Sequence, residues 1–256
     1  MIKPELVIMD WAGTTIDYGC FGPVRAFVEV FRHFKIEPTM EEVRKPMGML
    51  KRDHIKTMLR MPRIQAMWME IYQRPSGEAD IDDLYQLFEK KLIGSLSQYC
   101  DVKPGVIETV EALRKKGIAI GSTTGYTDHM MEIVTREAKQ NGYAPDGWYS
   151  PDSVGNLGRP YPYMIYRNME AFQVHSVKQV LKIGDTISDI QEGKNAGVYT
   201  VGVVEGSSEM GLSETEYNIL SDVEKEKAVK RIQNRFLEAG ADAVILNMGD
   251  FMKLIS

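Results

Sequence analysis

Two short apolar runs end in aspartates. Leu6-Val7-Ile8-Met9 leads into Asp10, and Ala12-Gly13-Thr14-Thr15 follows as a turn. A carboxylate directly after a buried strand stands at the mouth of a sheet, where it can act as a nucleophile. The same residue type also caps turns. The run Val180 to Ile183 leads into Gly184-Asp185-Thr186-Ile187-Ser188-Asp189. Two carboxylates four residues apart at a helix start converge on one region, and oxygen ligands that leave room for water suit Mg²⁺. A third run, Ile118 to Gly121, ends in Ser122-Thr123-Thr124-Gly125-Tyr126. Hydroxyls and backbone N–H groups at a helix N-terminus bind anions, although ordinary turn chemistry uses the same residues. Gly158-Arg159-Pro160 holds an arginine in a constrained loop. Its planar fork could clamp a phosphoryl oxygen, or it could be a surface arginine.

The elements that would position these residues alternate. Further strand candidates are Thr200 to Val204 and Ala243 to Leu246. Helical patterns fall between the runs: Gly105 to Lys116, Asp128 to Gln140, Pro162 to Phe172, Ser188 to Ala196 and a long amphipathic stretch over Glu214 to Ala239. Strand, turn and helix in alternation predict an α/β fold: a Rossmann-like parallel sheet with helices on both faces and ligands at the carboxyl ends of the strands. From Phe21 to Tyr99 no strand stands out. The helical patterns there are Val24 to Phe34, Glu41 to Lys45, Arg52 to Arg60, Arg63 to Tyr72 and Asp80 to Leu96, with Pro62 and Pro75-Ser76-Gly77 as punctuation. This predicts an inserted α-helical cap over residues 21–99, with residues 1–20 and 100–256 forming the core.

Bulk properties exclude several classes. A chain of 256 residues with net charge −5 has no basic footprint for nucleic acid. Cys20 and Cys100 are far apart and lack metal-ligand spacing, so a reducing compartment is expected. Met1-Ile2-Lys3-Pro4-Glu5 has no signal-peptide pattern, and no window approaches a membrane span, which predicts a cytoplasmic protein with no membrane partner. Sixteen methionines, several between Met40 and Met69, suit either core filling or an adaptable interface.

The order Asp at strand 1, Ser/Thr at strand 2, a basic residue and then Gly-Asp-x-x-x-Asp resembles the haloacid dehalogenase superfamily. Within it, the stretch Asp10 to Phe21 resembles the opening of the phosphonatase family almost residue for residue. So do Arg44-Lys45-Pro46-Met47-Gly48-Met49-Leu50-Lys51-Arg52-Asp53-His54, Gly121 to Tyr126, and Gly158 to Pro162, and the similarity runs over nearly the whole chain. The resemblance implies a small phosphonate substrate and a homodimer joined through cap helices. The implied reaction is hydrolysis of the P–C bond of phosphonoacetaldehyde to acetaldehyde and phosphate, in the degradation of 2-aminoethylphosphonate. It implies Asp10 as the phosphoryl acceptor and Lys51 as a Schiff-base residue. It implies Mg²⁺ on Asp10, the Ala12 carbonyl, Asp185 and Asp189, the last directly or through water. Thr124, Gly125 and Arg159 would hold phosphoryl oxygens, Met47, Cys20 and Tyr126 would line the pocket, and His54 would relay protons.

One departure sharpens the expectation. Most phosphatases of the superfamily carry an acid two residues after the nucleophile, and here that position is Ala12. Protonating oxygen would not help a carbon leaving group, which needs an electron sink; an iminium on Lys51 supplies one. Lys51 must then be a free amine, yet an ordinary lysine is neutral in only roughly one molecule in 2,500 at pH 7. Burial under a cap would lower its pKa. The alternatives are a phosphate-ester phosphatase of the same superfamily, a carbon-attacking dehalogenase, and a catalytically inactive binding protein on the same fold.

Overall fold

The computed structural model describes residues 3–255. Met1 and Ile2, at the start of the segment read for a signal peptide, lie outside them. Five strands form one parallel sheet: β1 (Leu6–Met9), β2 (Ala119–Ser122), β3 (Val180–Gly184), β4 (Tyr199–Val203) and β5 (Ala243–Ile245), in the spatial order β2-β1-β3-β4-β5. In β1, Leu6 and Ile8 pack with Ile165, Val180 and Val198, while Val7 and Met9 pack with Ile120, Leu181 and Ile183 on the other face. Both faces are covered, so β1 is apolar at every position instead of alternating. The covering helices include α6 (Val106–Lys115) on β2, α8 (Tyr163–Ala171) on β1 and β2, and α9 (Ile187–Ala196) on β3 and β4. Thr127 caps α7 (Asp128–Gln140).

Between β1 and β2 the chain is helical: α1 (Phe21–His33), α2 (Met40–Arg44), α3 (Lys51–Leu59), α4 (Pro62–Tyr72) and α5 (Glu78–Ser95). In α1, Val24, Phe27, Val28 and Phe31 recur at helical spacing and are buried. They face the buried stripe Ile81, Leu84, Phe88 and Leu92 of α5, with the Phe27 and Phe88 rings stacked at 4.2 Å. The same hydrophobic cluster continues into Val7, Met9 and Trp11 of the core, so this helical cap and the sheet share one apolar body.

The expected elements are present with shifts of a few residues at their ends. The region Glu214 to Ala239, expected to contain a long amphipathic stretch, holds it as α11 (Asp222–Glu238), preceded by the short α10 (Glu214–Ile219). Leu220 takes an extended conformation, and Ser221 starts α11 with a capping box closed by Glu224. Ser-x-x-Glu offers the backbone donors of a new helix better partners than continuation does.

Candidate active site

In this strand order the chain leaves β1 toward β2 on one side and β3 on the other. The carboxyl ends of β1 and β3 therefore flank the topological switch point, where open α/β sheets bind ligands. Asp10 follows β1 and Asp185 follows β3, and both are buried. The turn after Asp10 is tightly built. Thr15 Oγ1 donates to the Asp10 carbonyl at 2.9 Å, and Gly13 has φ +89. A Cβ at Gly13 would lie 2.1 Å from Asp185 Oδ2, so only glycine lets the two strand ends approach this closely.

Carboxylate oxygens of Asp10, Asp185 and Asp189 lie within 4.8 Å of one another, all buried. Burial first, then repulsion from Asp10 and Asp189, pushes the Asp185 carboxyl well above the usual carboxylate range. Asp185 accepts from Thr14 Oγ1 at 3.1 Å and from the Ser208 amide at 2.6 Å. Asp189 is held differently. One of its oxygens accepts from Thr186 Oγ1 at 2.6 Å, and the other pairs with Arg159 at 3.0 Å and Lys182 at 2.8 Å. Despite its burial, these cations lower the Asp189 pKa. Asp189 thus stands beside Asp10 and Asp185 as an ionised carboxylate within ligand distance of the same point.

Arg159 is the centre of a buried ion network. It pairs with Asp10 at 2.6 Å, Asp189 at 3.0 Å and Glu192 at 3.0 Å, and it donates to the Thr123 carbonyl. Lys182, fully buried in β3, pairs with Asp189 at 2.8 Å and Glu192 at 3.3 Å and donates to Thr123 Oγ1. Asp10, Asp185 and Asp189 form an all-oxygen donor set, which suits a hard divalent cation such as Mg²⁺ or Ca²⁺, and such a cation would relieve the repulsion that raises Asp185. We expect Lys182→Met to destabilise the fold by about 3–5 kcal/mol, because it leaves the buried Glu192 and Asp189 to share Arg159 and removes one of their two cations. Urea unfolding checks this, and a loss below about 1 kcal/mol would contradict it.

Lys51 opens α3 and reaches the same chamber from the cap. It is 4% exposed. Burial first, with the Arg159 guanidinium adding to it, lowers its amine below the usual lysine pKa, against the pull of Cys20, Asp10 and Asp185. Its Nζ sits 5.0 Å from the centre of the buried Tyr126 ring. The chamber is small and is lined by both parts of the chain. Met47, Gly48 and Lys51 line it from the cap, Cys20 from the linker, and Asp10, Ala12, Thr124, Gly125, Tyr126, Arg159 and Thr186 from the core. Burial pushes the Cys20 thiol and the Tyr126 phenol up, so both stay protonated at neutral pH.

Eleven of the twelve residues singled out in the sequence therefore meet in one place: nine line the chamber, and Asp185 and Asp189 lie at its acidic edge. His54 does not line it. Its ring is fully buried and stacked on Phe27 at 3.8 Å. Neither ring nitrogen makes a hydrogen bond of full geometry, and burial followed by the nearby Lys51 pushes its pKa well below 6.5. It is a neutral member of the hydrophobic layer behind Lys51. Arg159 lines the chamber and is at the same time held by three carboxylates. Thr124 Oγ1 accepts from the Tyr126 amide, while the neighbouring Thr123 joins the ion network. Sequence reasoning passed over Lys182 and Glu192, and read Thr123 only as one hydroxyl of the turn after β2. A lysine inside the apolar run Val180-Leu181-Lys182-Ile183 was the available signal, because a buried strand carries a charge only when it is paired.

An α/β sheet with a buried acidic site at its strand ends and a helical cap defines a class of hydrolase. Residues 4–197 match the family model described as haloacid dehalogenase-like hydrolase. A phosphonoacetaldehyde hydrolase of Lysinibacillus sphaericus is 51% identical over 255 residues, covering 100% of this chain and 95% of the relative. One from Bacillus cereus is 47% identical over 247 residues, covering 96% and 93%. The crystal structure of a phosphonoacetaldehyde hydrolase-like protein from Oleispira antarctica superposes with a TM-score of 0.94 at 36% identity, over 98% of this chain and 91% of that one. The chain belongs to the haloacid dehalogenase-like hydrolase family, in its phosphonoacetaldehyde hydrolase branch.

Proposed function

We propose that this enzyme hydrolyses phosphonoacetaldehyde to acetaldehyde and phosphate, with Lys51 and Asp10 performing separate steps. The observation that carries the reading is a buried, pKa-lowered lysine in the same small chamber as a strand-end aspartate, with alanine at position 12. The Lys51 amine condenses with the aldehyde and releases water, giving an iminium. An Asp10 oxygen attacks phosphorus as the P–C bond breaks, and the bond's electron pair passes into an enamine. The enamine takes a proton on carbon, and water then releases acetaldehyde from Lys51. A second water hydrolyses the aspartyl phosphate. Arg159 holds Asp10 in place, and the Thr124–Gly125 turn with the Arg159 side chain receives phosphoryl oxygens. Asp10, Asp185, the Ala12 carbonyl and, directly or through water, Asp189 would hold Mg²⁺, which would neutralise charge between the anionic substrate and the anionic nucleophile. His54 backs the Lys51 side chain as a neutral ring stacked on Phe27.

We assign residues 1–20 and 100–256 to the core and 21–99 to the cap. Among the described residues no helix is long and apolar enough to cross a membrane. We place the enzyme in the cytoplasm as a homodimer joined through cap helices, on which Met40 and Met69 are exposed. Light scattering should give twice the 29.0 kDa chain mass.

The assay is release of acetaldehyde and phosphate in equal amounts from phosphonoacetaldehyde with Mg²⁺. Faster turnover of phosphate monoesters by the same protein would contradict the reading. The pH profile follows from Lys51. Its folded pKa lies below the ordinary 10.5, so kcat/KM should rise with pH and level off at a midpoint below that value. The sign for stability is the same. Burying the ammonium costs most below the lowered pKa, and the cost is relieved as pH rises toward 10.5. Lys51→Met should remove both effects.

A further inference from the structure

Arg44 ends α2, seven residues before Lys51, and its side chain reaches out of the cap to the linker and the core. Nη1 donates to the Gly19 carbonyl at 2.8 Å and to the Ser208 carbonyl at 3.1 Å, and Nη2 donates to the Gly211 carbonyl at 3.4 Å. The guanidinium also lies 5.2 Å from the centre of the Phe21 ring. These acceptors belong to two places. Gly19 is in the linker by which the chain enters the cap, and Ser208 and Gly211 are in the core loop after β4. The loop is pinned at its other side by the acidic site, because the Ser208 amide donates to Asp185 Oδ2 at 2.6 Å. Linker and loop are themselves joined where the Gly19 amide donates to the Gly206 carbonyl at 2.8 Å.

The segment between Arg44 and Lys51 is pressed onto the core with no slack. A Cβ at Gly48, whose φ is +85, would lie 2.3 Å from Thr186 Oγ1 and 2.9 Å from Ser188 Cβ. A displacement at Arg44 is therefore passed along a few residues to the amine that lines the chamber. The acceptors of Arg44 are neutral carbonyls, so its placement depends on the rigid fork of a guanidinium and not on a charge pair.

We infer that Arg44 is a positioning residue that clasps the cap to the loop bearing on Asp185 and so keeps the Lys51 amine buried in the chamber. Its effect on turnover rests on the imine chemistry proposed for Lys51, but its effect on Lys51 burial does not. The experiment therefore omits substrate. The full-length, Mg²⁺-loaded protein is treated with trinitrobenzenesulfonate, and modification of individual lysines is followed by peptide mapping. Lys56, on the outer side of α3 with a side chain 28% exposed, is the internal reference. In Arg44→Met the Lys51 rate should rise about tenfold, the weight of one charged hydrogen bond, while the Lys56 rate stays unchanged. In Arg44→Lys, where an ammonium can reach only part of the set, the rise should be smaller. A merely structural lesion would raise both lysines together. With substrate, the rise in KM should exceed the fall in kcat. Lys51 rates within twofold of the parent in both variants, or in Arg44→Lys alone if Arg44→Met does not fold, would overturn the inference.

Discussion

Lys51→Met should lower phosphate release from phosphonoacetaldehyde by about 10³–10⁴-fold, or roughly 4–5.5 kcal/mol of transition-state stabilisation at 1.36 per decade. Methionine keeps most of the length and bulk of the side chain but has no amine. The leaving group is then a carbanion stabilised only by its carbonyl, with no iminium to take the electron pair. The site otherwise gains, since lysine is held there 4% exposed, with its ammonium form disfavoured. The variant should accordingly be at least as stable as the parent below neutral pH, and divalent-cation binding should persist, because Lys51 is not among the clustered carboxylates. Steady-state assays together with thermal unfolding check both halves. Activity within tenfold of the parent would remove Lys51 from the chemistry.

Asp10→Asn should reduce turnover by at least about 10⁴-fold, because an amide oxygen is a poor nucleophile toward phosphorus and the aspartyl phosphate cannot form. The consequence that separates this variant from the last is that Lys51 should still condense with the aldehyde. The substituted amide would keep the shape of the chamber, while Arg159 would retain Asp189 and Glu192 as partners. The variant should therefore accumulate the substrate imine, trapped by borohydride, and release no phosphate. Loss of trapping as well as turnover would mean that the two residues do not act in separable steps.

Most of the site was legible because its parts sit at strand ends, where the apolar run stops and the chemistry begins. Asp10 and Asp185 follow buried runs, and the turn at Gly13 marks where the two approach. The helical cap was legible as a break in the alternation. What was not legible depends on side chains meeting across the fold. Lys182 and Glu192 lie ten residues apart and find Arg159 only when α9 packs on β3. Arg159 itself was read as a ligand clamp, but the density of carboxylates around it makes it first an anchor for Asp10. His54 was placed on the face of Lys51 by helical spacing, correctly as far as burial goes, yet stacking on Phe27 turns its ring into the apolar layer. The end of α10 was hidden because amphipathic spacing continues through Leu220, whereas the capping box at Ser221 decides the break.

The central claim is that the amine of Lys51 forms a covalent imine with the aldehyde that Asp10 dephosphonylates. Incubation of the native enzyme with phosphonoacetaldehyde and borohydride, followed by peptide mass mapping, reads it directly. The account predicts irreversible inactivation with one reduced adduct per chain, located on Lys51 and absent in Lys51→Met. Full activity after treatment, or an adduct on any other lysine, would contradict it.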